Sequence, residues 1–209
     1  MTNELDKLLG VFSEIMEERE RERVLMVDDH PVELFPCLAG KELLSKGCYS
    51  NVYEADKPHT VYKLTCDLAY VDFMLTNDGV PGLPKLYSYM GLKNHPGHKP
   101  LALLEIQRLT HLDKWKHEVM KAESEAVHSM LLYRVLNSEA EDGQDGHVRA
   151  LREVGKSGLF SHSVSSALLA MSRFMANTRH RLVLDLRNPD NFMTDGERLI
   201  LTDPFDLFN

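Results

Sequence analysis

The chain has 209 residues, 43% of them hydrophobic, which is enough to bury a core as one domain or as two small lobes. Its formal net charge of −8 leaves no overall basic field to recruit nucleic acid. Three cysteines, Cys37, Cys48 and Cys66, without Cys-x-x-Cys spacing, argue against a disulfide framework or zinc knuckle and for a reducing compartment.

No apolar run is long enough to span a bilayer, and the acidic N-terminus does not read as a secretory signal, so a cytoplasmic protein is expected. Leu5, Leu8, Leu9, Phe12, Ile15 and Met16 recur at helical spacing and run into alternating Glu and Arg, where Glu17 and Arg21 make a favourable four-residue pair. This predicts an amphipathic helix packed on the chain's own first lobe, with a partner-binding or dimerising surface as the alternative. Residues 1–37 are read as this N-terminal helical extension.

Strands are predicted over 41–46 and 51–55, turned at Gly47, and over 60–64. Lys63 lies in mid-strand, and spacing alone points it to solvent. A short helix over 68–75, a strand entered through Val80 to Tyr87 and another over 101–107 follow. Helical spacing returns from Trp115 to Ala140 at Val119, Met120, Val127, Met130, Leu131 and Val135. Residues 139–146 read as an acidic loop and 148–154 as a further helical turn. Ser163 then caps a helix through Ala176 whose inner face is Val164, Ala167, Leu168, Met171, Phe174 and Met175. The ten histidines show no metalloprotease spacing and are read as surface residues, and the absence of Gly-x-Ser-x-Gly gives a hydrolase no foothold. From Leu184 to Asp206, Asp-Leu-Arg opens a polar loop ending at Asn191. A Phe-Met strand, a turn at Asp195-Gly196 and a Leu-Ile-Leu strand then deliver Asp203, so Asp185, Asn191 and Asp203 can converge at one end of a hairpin.

The run Leu44 to Tyr53 resembles the phosphate loop of protein kinases, Leu-Gly-x-Gly-x-Phe-Gly-x-Val-Tyr. Gly47 stands at the central glycine, Tyr49 at the aromatic tip, Val52 at the residue over the adenine, and Ser45 and Ser50 at the outer glycines. The resemblance makes Lys63 the ATP-anchoring lysine and Val61 a residue facing the adenine, and it makes the backbone around Glu105 and Gln107 the hinge. It makes Asp185 the group that orients or accepts the substrate hydroxyl proton, with Arg187 neutralising the transferring phosphoryl group and Asn191 and Asp203 ligating Mg²⁺. Several features depart from the pattern. No glutamate lies between Lys63 and Pro81, leaving Asp67 or Asp72 as shorter substitutes. Asn191 falls six residues after Asp185 where the family has five, so one residue within 188–190 must be absorbed as a bulge. Pro204 replaces the Phe of Asp-Phe-Gly, Leu184 replaces an Arg, and no activation segment follows before Asn209, so an active state without an activation-loop switch is expected.

With Gly-Leu-Pro-Lys-Leu-Tyr, Asn-Phe-Met and Leu-Thr-Asp-Pro-Phe added, the stretch from Leu38 to Phe208 resembles the short early serine/threonine protein kinases of lytic podovirus-type bacteriophages. That resemblance implies an α+β, minimal two-lobed protein-kinase-like fold, with an antiparallel-sheet lobe at 38–107 and a truncated, mostly helical lobe at 108–209. It also implies ATP and Mg²⁺, and phosphorylation of Ser/Thr on host proteins in the host bacterial cytoplasm, modulating host transcription, translation or defence, without nucleic-acid or membrane partners. The alternative is a catalytically weak or inactive pseudokinase-like protein that binds a host factor, as the missing glutamate and reduced glycine loop suggest. A small-molecule phosphotransferase ranks third, because the second lobe is short for building its own substrate pocket.

Overall fold

The computed structural model describes residues 31–94, 99–113, 115–137, 143–186 and 188–207. The N-terminal amphipathic helix and Arg187 lie outside the described residues. The protein is α+β and forms two compact units, one running to Leu68 and including Ser88–Glu105, the other made of Ala69–Tyr87 and the chain from Ile106 onward. Among the described residues no helix is long and apolar enough to cross a membrane.

The first unit is built on a five-stranded sheet in the order β1-β2-β3-β5-β4, with β1 Leu43–Lys46, β2 Ser50–Glu54, β3 Thr60–Thr65, β4 Leu86–Lys93 and β5 Leu101–Gln107. A one-turn helix, α1 (Pro31–Leu34), and a 3-10 turn over Pro36–Leu38 precede it. Phe35 and Leu38 from this segment join Tyr53, Tyr62, Leu64, Leu101 and Leu103 in one apolar cluster, so the segment covers one face of the sheet. Each of these two side chains, almost fully buried, contributes about 2 kcal/mol. Strand β3 is central, and all six of its residues are buried. Lys63 is therefore 7% exposed and not the solvated residue that spacing alone suggests. A one-sided strand would have left it in water, but β3 is flanked by β2 and β5 and covered on both faces, as its continuous burial shows.

Polar groups at the edge of the cluster include a paired acid and phenol. Asp56 accepts hydrogen bonds from Lys41 Nζ and, at 2.9 Å, from the Tyr62 hydroxyl. Those two donors hold its carboxyl below the usual range, while burial and then Asp56 push the Tyr62 phenol up to about 12. Burial likewise raises the Cys66 thiol to about 11, so it stays an unreactive core group.

The second unit contains α2 (Leu68–Thr76, entered from the first unit), α3 (Glu118–Asn137), α4 (Gly143–Gly155) and α5 (His162–Asn177). It also has short ladders between β7 (Leu182–Leu184) and β10 (Phe205–Leu207), and among β6 (Thr110–His111), β8 (Phe192–Thr194) and β9 (Leu199–Leu201). Helix α5 buries the whole predicted inner face, from Val164 to Met175. Its cap, however, is Ser161, whose hydroxyl accepts from the Val164 N–H at 3.4 Å; Ser163 is buried inside the first turn, 3.1 Å from the Ser161 hydroxyl. Helix α4 starts at Gly143, so the predicted loop to 146 is shorter. Gly146 and Gly155 are buried, and a Cβ on Gly155 would meet Leu169 at 3.1 Å. Close packing against α5 outweighs the low helix propensity of glycine. On α3, Val127 and Leu131 are buried, but Val119 is 83% exposed, so the predicted stripe serves the core only in its middle. Phe73, Phe174 and Phe205 close the core with ring centroids 5.0 to 5.8 Å apart.

The connection between α2 and β4 is held at Gly82, which has φ +81° and whose carbonyl accepts the Leu201 N–H at 2.9 Å. A Cβ there would lie 2.2 Å from the Ser163 carbonyl oxygen, a backbone atom fixed in α5. Gly82→Ala should therefore cost about 3 kcal/mol or more from left-handed strain plus overpacking. Gly196→Ala, at φ +99° in open space, should cost only about 1 to 2 kcal/mol. Urea denaturation followed by far-UV circular dichroism compares the two; equal midpoints would show that the Gly82 contact is not limiting.

Candidate functional site

In the first unit the candidate residues form a tight hairpin with the strand beside it. Ser45 is the next-to-last residue of β1, Ser50 opens β2, and Gly47 lies in the connection, where its N–H donates to the Ser50 carbonyl at 2.7 Å. Small residues suit this turn, since a Cβ on Gly47 would already meet the Ser50 oxygen at 3.3 Å. The Gly47 amide therefore closes the hairpin. Val52 pairs directly with Lys63 across the β2–β3 ladder, and Val61, two residues before Lys63, is buried. Side-chain alternation places Val61 and Lys63 on one face of β3 and Tyr62 and Leu64 on the other.

Glu105 and Gln107 end β5. The Glu105 carboxylate is 7% exposed and accepts from Thr60 Oγ1 at 3.1 Å and Lys57 Nζ at 3.0 Å. Thr60 has the parity of Tyr62, so this carboxylate lies on the sheet face opposite Lys63, and only its backbone remains for a hinge role. Gln107 brackets Lys85, donating its N–H to the Lys85 carbonyl at 2.9 Å and accepting the Lys85 N–H through Oε1 at 3.3 Å. Of the two substitutes for the missing helix glutamate, Asp72 sits 3.2 Å from His180 Nε2 and is half exposed. Asp67 is 8% exposed, just past β3 in the unit that carries Lys63.

In the second unit the structure brings together Asp185, Asn191 and Asp203. The β7–β10 ladder pairs Leu184 with Phe205, and the Asp185 N–H continues it to the Pro204 carbonyl at 2.9 Å. The β8–β9 ladder pairs Phe192 with Leu201, and the Thr202 N–H continues it to the Asn191 carbonyl at 3.0 Å. Asp203 is thus held between two ladder ends, one reaching Asp185 and the other Asn191. The extra residue between Asp185 and Asn191 is absorbed by a 3-10 turn over Pro189–Asn191, not by a strand bulge. Asn188 starts it, its side chain accepting from the Asp190 N–H at 3.1 Å and its carbonyl from the Asn191 N–H at 3.1 Å.

Asn191 is 6% exposed, and its Nδ2 donates both to the Asp185 carbonyl and, at 3.2 Å, to Asp185 Oδ2. Both partners are acceptors, which fixes the orientation of the amide and leaves Oδ1 as its ligand atom. Asn191 Oδ1 with the Asp203 carboxylate is an all-oxygen donor set, the kind a hard divalent cation such as Mg²⁺ takes. Among the described residues no cluster of three or more His, Cys, Asp or Glu side chains is arranged for a metal.

Two positioning residues escape a reading of the sequence. The N–H groups of Leu182 and Leu184 on β7 are accepted by Gln144 Oε1 at 3.0 Å and His147 Nδ1 at 3.2 Å, both from α4. Gln144 also donates to the Met175 carbonyl at 2.6 Å. His147 is therefore not a plain surface histidine; it braces the strand that delivers Asp185. The usable signal was the Gln-x-x-His spacing on one helix face set against the two-residue period of β7. At the far end of the β8–β9 hairpin, Asp195 accepts from the Glu197 and Arg198 N–H groups and from the Arg198 guanidinium. Burial opposes its ionisation, but those donors outweigh burial and hold its carboxyl below the usual range.

His147→Phe removes the acceptor for the Leu184 N–H and should speed amide exchange at Leu184 at least tenfold, with about 1 to 2 kcal/mol lost; unchanged exchange would rule out the brace. Because the folded carboxyl of Asp195 is depressed, its stabilisation is present above about pH 4 and is lost as pH falls through its folded value. The stability gap between wild type and Asp195→Ala should be about 1 kcal/mol at pH 7 and close in more acidic solution.

No protein-family model matches the chain. No curated protein matches it either. Among solved structures it is similar to the GDP complex of an aminoglycoside 2′-phosphotransferase IIIa mutant, at 14% identity and a TM-score of 0.35 over 82% of this chain and 68% of that one. It is also similar to a thermostable mutant of the aminoglycoside phosphotransferase APH(4)-Ia in a ternary complex with AMP-PNP and hygromycin B, at 13% identity and a TM-score of 0.33 over 80% of this chain and 66% of that one.

Proposed function

We propose that the chain is an ATP-dependent phosphotransferase of protein-kinase-like design, acting on a Ser/Thr hydroxyl of a host-cell protein, as the resemblance to the short phage kinases implies. The observation that carries this reading is the Asn191 amide clamped on Asp185 beside Asp203 in the second unit. In such a site the catalytic carboxylate must be oriented toward an incoming hydroxyl, and Asn191 must turn its oxygen toward a cation. One bifurcated amide does both.

Asp185 accepts the proton of the acceptor hydroxyl as that oxygen attacks the γ-phosphorus; the bond from the γ-phosphorus to the β–γ bridging oxygen breaks, and ADP leaves. Asn191 Oδ1 and Asp203 would hold Mg²⁺, which when bound neutralises phosphate charge. Lys63, in the first unit, supplies a buried cation for the nucleotide phosphates. A buried ammonium needs a counter-charge. Among the described residues of that unit, Asp67 is the buried acid other than Glu105, and Glu105 is engaged with Thr60 and Lys57 on the opposite face. Asp67 thus takes the place of the missing helix glutamate in this reading. The lobe boundaries at 38–107 and 108–209 and the assignment of Arg187 to the phosphoryl group belong to the same proposal.

A weak or inactive, nucleotide-binding relative is the second reading, favoured by the Gly47 amide being turned into its own hairpin, where a phosphate-binding loop needs outward N–H groups.

Transfer of labelled γ-phosphate from ATP with Mg²⁺, to the protein itself or to a bacterial lysate, separates the two. Asp185→Ala should lower transfer roughly a hundredfold or more. Equal labelling by wild type and variant would sink the enzyme. ATP-dependent thermal stabilisation that survives in wild type but vanishes in both Lys63→Met and Asp203→Ala would keep the nucleotide site. Stabilisation retained in both variants would remove it.

A further inference from the structure

The stretch from His147 to Arg181 carries six Lys or Arg and one Glu in a chain whose net charge is −8. Helix α5 contains no acidic residue at all. Three of these cations, Arg152 and Lys156 from α4 and Arg173 from α5, line a cavity of about 380 Å³ between the two helices, together with Leu169, Ala176 and Asn177. All three are exposed, and among the described residues none has an ion-pair partner. Two other arginines of the second unit do meet an acid, Arg134 with Glu153 at 2.9 Å and Arg198 with Asp195 at 2.8 Å. Glu153, next to Arg152 in sequence, is thus turned toward α3 and away from the groove. Complementarity to the helix dipole accounts for basic residues in the last turn of α4. It does not account for Arg173, which reaches the same groove from α5.

Three cations without an ion-pair partner among the described residues, set around a concave surface, carry a mutual repulsion that an anion relieves, and two guanidiniums provide the forked donors that phosphate oxygens take. We propose that the α4–α5 groove binds a phosphate monoester. All three cations line one cavity of about 380 Å³, which suits one dianion rather than the extended basic track of a nucleic-acid surface. Leu169 and Ala176 supply apolar contact for the group that carries the phosphate, which favours a phosphorylated side chain of a protein segment. The proposal does not rest on the reading of Asp185, Asn191 and Asp203.

Titration calorimetry on the full chain with a short alanine-leucine peptide bearing one phosphoserine, against the same peptide unphosphorylated, tests the site. The phosphorylated form should bind at least about tenfold more tightly, and that preference should be lost in the double variant Arg152→Gln, Arg173→Gln and kept in Arg198→Gln. The substituted side chains are exposed, so the thermal midpoints should match and folding should not confuse the result. Competition by inorganic phosphate only in large excess assigns the site to protein-borne phosphate; competition at equal concentration assigns it to small phosphate compounds. Equal binding of the two peptides, an unchanged double variant, or tighter binding of a short oligothymidylate would overturn the proposal.

Discussion

The hydrogen bond that the second unit's candidate site depends on is the one from Asn191 Nδ2 to Asp185. It joins two ladders that are separate in the hydrogen-bond pattern, β7 with β10 and β8 with β9. The polar loop between them is short and ends in a 3-10 turn, so Asn191 has little freedom to point elsewhere. With the amide nearly buried, its donor is committed to Asp185 and its oxygen is directed by default. A side chain with only acceptors at this position would set two carboxylates against each other without a donor between them. The geometry of Asp203 follows from the same arrangement, because the flanking residues Thr202 and Pro204 are tied to Asn191 and Asp185 respectively.

Around that bond the structure supplies rigidity from several directions. Gln144 and His147 satisfy the β7 N–H groups that β10 does not reach, replacing a further strand by two side chains of one helix. Asp195 locks the hairpin turn at the other end, and Gly82 ties the α2–β4 connection to β9. His147 acts as this acceptor through the Nδ1 lone pair. In the first unit the corresponding constraint is the burial of Lys63 in a strand covered on both faces, where a charged side chain persists only with a compensating partner.

Much of the secondary structure follows from local pattern. The strands of the first unit, the apolar face of α5 and the terminal hairpins are each written in spacing that few other conformations satisfy. The departures have tertiary causes. Gly143 to Gly146 looks like loop chemistry and is helix, in a segment whose residues Gly146, Val148, Ala150, Leu151 and Val154 are buried. Ser163 looks like a cap, but the cap is Ser161, whose hydroxyl meets the Val164 N–H, so the helix starts two residues earlier and Ser163 lies inside its first turn. Lys63 looks like a surface residue until the order of the strands puts β3 in the middle.

By itself the sequence determined the residue types and spacing of the candidate site: a lysine in the third strand, and Asp185, Asn191 and Asp203 on either side of one hairpin. It determined them because backbone period and turn chemistry are local, and a two-stranded turn with Asp-Gly has few alternatives. Only the tertiary structure decided that the Asn191 amide closes on Asp185, that Gln144 and His147 brace β7, that the Glu105 carboxylate faces away from Lys63, and that Arg152, Lys156 and Arg173 share one groove. Each of these depends on which segments far apart in the chain are packed together, and hydrogen bonds and charge clusters of that kind leave no periodic trace in the residues that make them.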